Sequence, residues 1–294
     1  MPVRTVAIMS PGDMGHAVGR ALGSNGLEVI TCLAGRSEHT RTLAGRGGFR
    51  DLPSLEAMVS EADLVLSILP PAAAPGIARE VAAAMASAGK APPYADCNAV
   101  SPDTTRKIGE EIARARADFI DGGIIGPPPR PDASTRFYVS GPRADLMSAL
   151  EGSGIEVRPL GEEIGRASGM KMCYAALTKG TSALQTAVLV AAESLGLSKE
   201  IHAEFLSSQA PAYRQMQARA PRLPLVAGRW IGEMEEIAAT FEAAGVTGKF
   251  HQGAAAIYTL LAGAPFASEN RDTMDAGRTL EESVRVYASL LPGK

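Results

Sequence analysis

The first half of the chain alternates short apolar runs with longer stretches in which apolar residues recur every three or four positions. The apolar runs predict strands at residues 3–9, 27–33, 63–69, 94–97, 118–125, 135–140 and 156–160. The periodic stretches predict helices at residues 13–25, 74–87, 102–115 and 143–151. Strands separated by helices of this length are typical of a parallel, doubly wound sheet.

Beyond about residue 160 the pattern predicts helices only. One long, mostly apolar helix is predicted at residues 164–195, and shorter ones at 199–209, 211–220, 231–244, 248–262 and 278–291. We therefore predict an α/β Rossmann domain with a doubly wound, mainly parallel sheet in residues 1–160. An all-α domain for substrate binding and dimerisation would follow in residues 161–294. A helix of about 30 residues is long for a compact domain. It is more natural as a helix that joins the two domains or as part of a dimer.

Composition narrows the classes of partner. The chain has 294 residues, of which 46% are hydrophobic and 21% charged, the balance of an ordinary globular protein. Its formal net charge of -3 gives no reason to expect a nucleic acid or an anionic membrane surface as a partner. The chain shows no secretory pattern and no apolar run of roughly 18 residues, and its cysteines and histidines lack metal-ligand spacing. We expect a cytoplasmic protein with a small-molecule substrate and no metal.

The loop after the first predicted strand carries a variant of the dinucleotide pattern G-x-G-x-x-G, with Ser10 in place of the first glycine. Gly12 would let the backbone approach a pyrophosphate, and Gly15 would let the following helix pack on the strand. The alternative is a glycine-rich turn without a ligand. The candidate cofactor contacts in this loop are Ser10, Pro11, Gly12, Asp13, Met14 and Gly15.

The end of the second predicted strand indicates which dinucleotide fits. Sites specific for NAD place an acid there to hold the ribose hydroxyl, whereas this chain has Arg36 and Ser37. An arginine can pair with the 2′-phosphate of NADP, and a serine can donate to it. We therefore predict NADP as the cofactor, with NAD as the alternative. If Arg36 binds no cofactor, it would be a solvated surface arginine.

Several segments together resemble the β-hydroxyacid dehydrogenases, the group that includes 3-hydroxyisobutyrate and 6-phosphogluconate dehydrogenases and the imine reductases. The resemblance covers almost the whole chain and rests on residues 12–15, 67–70, 96–102, 121–126, 165–171 and 192–197. It implies an NAD(P)-binding domain, a helical second domain, a homodimer and hydride transfer. It also implies that Leu69 and Pro70 lie in a loop that faces the cofactor. Asn98 is a candidate for a hydrogen bond to the nicotinamide end of the cofactor or to a substrate oxygen.

The resemblance further implies that Lys171 is the acid/base of the reaction. A lysine inside an apolar helix is costly to bury, and desolvation would lower its pKa toward the range useful for proton transfer. The alternative is a lysine that extends to the surface. Thr178 shares the helix face of Lys171, and Tyr174 lies beside it. Both are candidates for orienting the lysine or touching the substrate, and Tyr174 is the second catalytic candidate; the alternative for each is a packing role.

Three departures put a simple small-hydroxyacid substrate in doubt. Where the family has Ser-Gly-Gly to bind a carboxylate, this chain has Ile125, Gly126 and Pro127. Ala175 replaces the asparagine that follows the family's lysine, and residues 233–235 replace a later Lys-Asp pair. We keep Ile125 and Gly126 as substrate-lining candidates. Arg130 could bind an acid group from its proline-rich loop, or it could be a solvated charge.

The function predicted from these residues is an NADP-dependent oxidoreductase that acts on a small hydroxyacid or a polyol-type alcohol. A reductase of C=N bonds on the same scaffold is one alternative, although the presence of Lys171 argues against it. The other alternative is a catalytically silent NADP(H)-binding protein, which the altered substrate loop and Ala175 would favour. The identity of the substrate stays open.

Overall fold

The computed structural model describes residues 2–130, 132–270 and 273–292. The chain divides into two compact units, one up to Met172 and the other from Cys173 onward. The predicted domain boundary after residue 160 stays a prediction.

The first unit is an eight-stranded sheet with the order β3-β2-β1-β4-β5-β6-β7-β8, flanked by helices. The strands are parallel except that β7 runs antiparallel to β6. The predicted fold class, a doubly wound and mainly parallel sheet followed by a helical region, is confirmed. The strands are β1 (Thr5–Met9), β2 (Glu28–Thr31), β3 (Arg50–Asp51), β4 (Leu64–Ser67), β5 (Tyr94–Asp96), β6 (Phe119–Ile125), β7 (Thr135–Ser140) and β8 (Ile155–Pro159).

The alternation of side chains along the strands divides the core between the two faces of the sheet. Ala7 and Met9 of β1 belong to one cluster, together with residues of α3, α4 and α5, whereas Val6 and Ile8 belong to another with α1. Central strands of a parallel sheet are covered on both faces, so most of their residues are apolar. The helices of this unit are α1 (Asp13–Ser24), α2 (Glu38–Arg46), α3 (Leu55–Glu61), α4 (Ala74–Ala88) and α5 (Pro102–Arg114).

The elements that the pattern failed to predict are short and have little apolar surface to bury. In α2 only Leu43 and Ala44 are buried, and the two residues of β3 are both exposed. The segment predicted as a helix at 143–151 is a 3₁₀ helix at Ala144–Leu150. Its buried residues recur at every third position, Ala144, Met147 and Leu150, which is the repeat of a 3₁₀ helix rather than of an α-helix.

The long predicted helix is α6 (Arg166–Ser194), which begins in the first unit and continues into the second. The second unit also contains α7 (Ser198–Ser208), α8 (Ala210–Arg219), α9 (Pro224–Ala243), α10 (Lys249–Ala262) and α11 (Leu280–Ser289). Leu189 of α6 packs in a buried cluster with residues of α8 and α11. None of the helices, within the part of the chain that the structure describes, has the length and hydropathy needed to cross a membrane.

Candidate functional site

The strand order reverses between β1 and β4, and the loops at the carboxyl ends of these two strands lie side by side. A β-carbon added at Gly15 would lie 3.9 Å from Cβ of Ile68, which follows β4. In open α/β sheets, dinucleotides bind in the crevice at such a switch point. The glycine loop is therefore placed where a dinucleotide would bind.

The backbone of this loop explains the glycine pattern and its one departure. Ser10 has a φ of 53°, a left-handed conformation that favours glycine. Gly12 is the N-cap of α1, and a β-carbon there would meet no protein atom within 4 Å. No side chain caps the start of α1, and the first N–H groups of a helix lack partners within it, which is the feature that anion sites at helix N-termini use.

Close packing of α1 is tightest at Gly19, which lies one helical turn after Gly15 on the same small-residue face of the helix. A β-carbon at Gly15 would make an ordinary contact of 3.5 Å with Ile8. At Gly19 it would lie 2.1 Å from the ring of Phe49, so no larger residue fits there without displacing that ring. Phe49 stands 30 positions further along, beside the undetected β3, and nothing in the sequence links it to Gly19.

Arg36 lies in the turn after β2, where its backbone N–H donates to the carbonyl of Leu33 at 3.1 Å. Its Nε is buried and has no hydrogen-bond partner among the described residues. A buried guanidinium nitrogen without a partner is costly, and an anionic ligand would supply the missing acceptor. Ser37 is the N-cap of α2, where its Oγ accepts from the N–H of Thr40 at 3.2 Å.

Asn98 joins the carboxyl ends of β4 and β5. Its Oδ1 accepts from the N–H of Leu69 at 2.5 Å, and its Nδ2 donates to Ser67 at 2.9 Å and to Asp96 at 3.1 Å. The residue is 2% exposed. Both the oxygen and the nitrogen of this side-chain amide are therefore used in hydrogen bonds that hold the loop of Leu69 and Pro70 in place. Its direct contact with a ligand stays a prediction.

Asp96, the carboxylate behind Asn98, is fully buried. Burial raises its pKa from 3.8 to about 7, although hydrogen bonds from Asn98 oppose this shift and the charge of Asp121 adds to it. The same desolvation raises the pKa of the neighbouring Cys97 thiol well above its ordinary value. Burial thus disfavours the charged forms of these two side chains.

The segment we interpreted as a substrate loop is mostly strand. Residues 121–125 belong to β6, and every residue of that strand is buried. A β-carbon at Gly122 would lie 2.7 Å from Sγ of Cys97, and one at Gly123 would lie 2.7 Å from the carbonyl oxygen of Ala167. The glycine pair therefore allows β5 on one side and α6 on the other to approach β6 closely. Ile125 is 2% exposed, so its side chain belongs to the packed interior.

Lys171 reaches the carboxyl end of β6 from the second turn of α6. Its Nζ donates to the carbonyl oxygen of Ile124 at 2.7 Å. Cβ of Lys171 would lie 3.0 Å from a β-carbon at Gly123, so the same glycine that admits the helix also admits the lysine. The side chain is half-buried. Its ammonium group lies at the carboxyl ends of the parallel strands, the end of the sheet that also carries the glycine loop.

The remaining predicted residues are dispersed. Arg130 lies near the start of β8, where its backbone carbonyl would be 2.6 Å from a β-carbon at Gly154. Its guanidinium is exposed and lies 3.9 Å from Asp132. Gly126 has a φ of 126°, which favours glycine, and it is exposed. Tyr174 and Thr178 belong to the second unit, and Thr178 donates to the carbonyl of Tyr174 at 3.2 Å.

A buried ion pair in the second unit was not predicted. Lys179 of α6 pairs with Glu233 of α9, and their side chains are 13% and 7% exposed. The ammonium also lies 5.0 Å from the ring centroid of Trp230, a cation–π geometry. The carbonyl of Lys179 accepts from Tyr258 of α10 at 2.8 Å. Lys179 stands one residue off the helix face of Lys171.

Comparison with known proteins assigns most of the chain to two families. Residues 5–151 match the model of the NAD binding domain of 6-phosphogluconate dehydrogenase. Residues 192–261 match a domain of unknown function, DUF1932. An uncharacterized 28.5 kDa protein of Methanothermus fervidus is 31% identical over 175 residues, which are 60% of this chain and 66% of that protein. The matched part thus spans just under two thirds of the relative's length.

Solved structures of the same fold cover nearly the whole chain. A conserved protein of unknown function, described as structurally similar to 3-hydroxyacid dehydrogenases, is 27% identical and covers 90% of this chain and 100% of its own, with a TM-score of 0.62. A 3-hydroxyisobutyrate dehydrogenase of Mycobacterium tuberculosis, solved with L-serine, is 18% identical over 97% and 99% of the chains, with a TM-score of 0.64. An imine reductase of Myxococcus stipitatus with NADP+ is 18% identical over 96% and 99%, with a TM-score of 0.53. The last two, at such low identity, support the fold alone.

Proposed function

The chain belongs to the family defined by the NAD binding domain of 6-phosphogluconate dehydrogenase, and from that premise we propose that it is an NADP-dependent oxidoreductase. Its substrate would be the alcohol, or the matching carbonyl compound, of a small hydroxyacid or polyol. Lys171 would be the group that transfers the proton. The observation that carries the proposal is the placement of Lys171 at the carboxyl end of β6, held there by the carbonyl of Ile124 at 2.7 Å.

The cofactor would be held by groups at the switch point. The first N–H groups of α1 would bind the pyrophosphate above Gly12, where no side chain intervenes. Arg36, whose buried Nε lacks a partner among the described residues, would bind the 2′-phosphate of NADP. The loop of Leu69 and Pro70 would lie beside the nicotinamide ribose, fixed by Asn98. The nicotinamide supplies or accepts the hydride when it is bound.

The protein's own contribution to the chemistry is the movement of one proton. In the oxidising direction Lys171, as a neutral amine, would accept the proton of the substrate hydroxyl. In the reducing direction its ammonium would return that proton to the carbonyl oxygen. The hydrogen bond to Ile124 keeps Nζ at the strand end in both forms, since a neutral amine still donates. The buried residues of β5 and β6 would exclude water from this side of the proton-transfer step.

We further propose that the protein is a homodimer. An exposed seam along α6 and the residue that follows it runs through residues spaced alternately by three and four positions, the repeat of a coiled coil. Within the seam Leu177 is 73% exposed, Leu184 66% and Leu195 72%. Large apolar side chains in such a row are costly to leave in water, and a second copy of the chain would cover them. The seam consists of Tyr174, Leu177, Thr181, Leu184, Val188, Ala191 and Leu195.

The catalytic proposal is tested by a screen of NADP+ reduction across hydroxyacids and polyols, followed by Lys171→Ala on the best substrate. Turnover should fall roughly 10²–10⁴-fold, the usual contribution of a positioned proton-transfer group, while the affinity for NADPH stays unchanged. Lys107→Ala, an exposed lysine of α5, is the matched control and should behave as wild type. Wild-type turnover by Lys171→Ala would contradict the role of the lysine. Tight NADPH binding without turnover of any substrate would favour the silent binding protein.

A further inference from the structure

We propose that Asp121 is the positioning residue for Lys171: its buried carboxylate holds the first turn of α6 against β6 and thereby sets the place and the protonation of the lysine. The inference rests on the proposed function only in taking Lys171 as the group that transfers the proton. This role is not assigned in the sequence analysis, because Asp121 stands at the start of the segment interpreted as a substrate loop.

The carboxylate of Asp121 binds the start of α6 through an unusual number of donors. It accepts from the backbone N–H groups of Gly165 at 2.8 Å, Ala167 at 3.0 Å and Ser168 at 3.1 Å. It also accepts from the hydroxyls of Ser168 and Ser140, the latter at 2.9 Å. Asp121 has no exposed surface. The first N–H groups of a helix lack partners within the helix, so one side chain satisfies the end of α6 and has its own buried charge satisfied in return.

The register of β6 against α6 turns this anchor into a position for Lys171. Asp121 and Gly123 lie on the same face of β6, which advances about 6.8 Å over two residues. Over the four residues from Ala167 to Lys171 the helix advances about 6 Å. The strand and the helix therefore advance by similar distances away from the anchor. The contact of Gly123 with Ala167 follows the anchor, and the hydrogen bond from Lys171 to the carbonyl of Ile124 comes next. A slip at the anchor would be passed on to the lysine.

Charge gives Asp121 a second effect. The N-terminus of a helix has a positive potential, which disfavours an ammonium group in the following turn, and the carboxylate of Asp121 opposes that potential. Charged or titratable groups near the anchor include Asp96 of β5, Cys97 directly after it and Arg106 of α5. Glu163 and Arg166, which form an exposed ion pair, stand at the start of α6. A β-carbon at Gly165 would lie 3.1 Å from Nη2 of Arg106. Removing the charge of Asp121 should therefore make Lys171 release its proton at lower pH.

The test is an NMR titration of the full chain with NADPH bound, in which lysine is labelled with ¹³C at Cε. The sequence has seven lysines, so the Lys171 signal can be assigned by its loss in Lys171→Arg. In Asp121→Asn the midpoint of that signal should move down by roughly 0.5–1 pH unit, the size of a helix-end charge effect. Ser140→Ala, which removes one donor to Asp121 and one acceptor for the N–H of Ala167 but keeps the charge, is the matched control and should move the midpoint much less than Asp121→Asn. A folded Asp121→Asn with the wild-type midpoint would overturn the proposal.

A second measurement applies even if Asp121→Asn does not fold. The anchored N–H groups of Gly165, Ala167 and Ser168 should exchange with solvent deuterium at least 10²-fold more slowly than the same residues in an unfolded chain, roughly as core amides do. Exchange of these amides at the rate of open loops in the wild type would overturn the anchor. Neither measurement needs a substrate. If Lys171→Ala retains turnover, the catalytic proposal fails while the titration still decides whether Asp121 controls the lysine.

Discussion

The contact between β6 and α6 can be tested most directly with Gly123→Ala. The added β-carbon would lie 2.7 Å from the carbonyl oxygen of Ala167 and 3.0 Å from Cβ of Lys171. A relaxed carbon contact lies near 3.5–4.0 Å, so strand and helix would have to separate by roughly 0.5–1 Å. Because the nearest atom belongs to the helix backbone, no side-chain rotation can relieve the clash.

Overpacking of this kind costs about 1–3 kcal/mol. For a protein of this size each kcal/mol lowers Tm by roughly 2–4 °C, so Gly123→Ala should melt roughly 2–12 °C below wild type. Gly23→Ala is the matched control, since a β-carbon at Gly23 of α1 would meet nothing within 4 Å. That substitution should leave stability unchanged or raise it by up to about 1 kcal/mol, because alanine favours a helix.

The assay is differential scanning calorimetry of both variants beside the wild type, with NADPH affinity measured in parallel. The affinity should stay the same in both variants, because neither residue lies in the glycine loop. The reasoning fails if Gly123→Ala melts within about 1 °C of wild type, less than the shift expected from the smallest overpacking cost. In that case β6 and α6 would not be in the close contact described here.

Three further predictions concern other parts of the protein. Burial raises the pKa of Asp96 from 3.8 to about 7. Between these two values the folded protein retains a proton that the unfolded chain has released. The free energy of unfolding should therefore fall as pH rises from about 4 to about 7, by roughly 4 kcal/mol at most. Asp96→Asn should flatten this slope in urea unfolding at pH 5 and pH 8, and an unchanged slope would assign it to another group. Arg36→Ala should weaken NADPH roughly 10–150-fold by loss of a charge-assisted contact, with NADH unaffected in parallel titrations; equal losses would refute the phosphate role. Light scattering should give a mass of about twice 30.5 kDa for the wild type and the mass of a monomer for Leu184→Lys. Leu206→Lys, a change at an exposed leucine of α7, is the control and should stay dimeric. A monomeric wild type would refute the role of the seam as a dimer interface.

The sheet and the helical region were predictable because their signals are local. The apolar run of β4 and the long apolar stretch of α6 are readable within a few residues of sequence. The glycine loop was equally readable, since the dinucleotide pattern is a property of consecutive residues. Short elements such as β3 and α3 were missed because they bury too little apolar surface to show a period.

The contacts that position the site join residues far apart in the chain. Gly19 is required by Phe49, and Asp121 is satisfied by donors 44 to 47 residues further on. Neither partner can be found from periodicity. One signal was nonetheless present: an aspartate within an otherwise apolar run needs several donors or a positive partner if it is buried. Asp121 in the run 118–125 met that condition, and it could have indicated an anchor.

The two lysines of α6 show why position on a helix face was a poor guide to their roles, and why their partners are a better one. Lys179 is paired with Glu233 inside the helical unit, so loss of its proton would leave a buried carboxylate without its counter-charge. Lys171 donates to the carbonyl oxygen of Ile124, a bond that a neutral amine can also make. The two lysines therefore differ in what holds them: Lys179 lies in a buried ion pair between α6 and α9, whereas Lys171 is held at the carboxyl end of β6 by a backbone carbonyl.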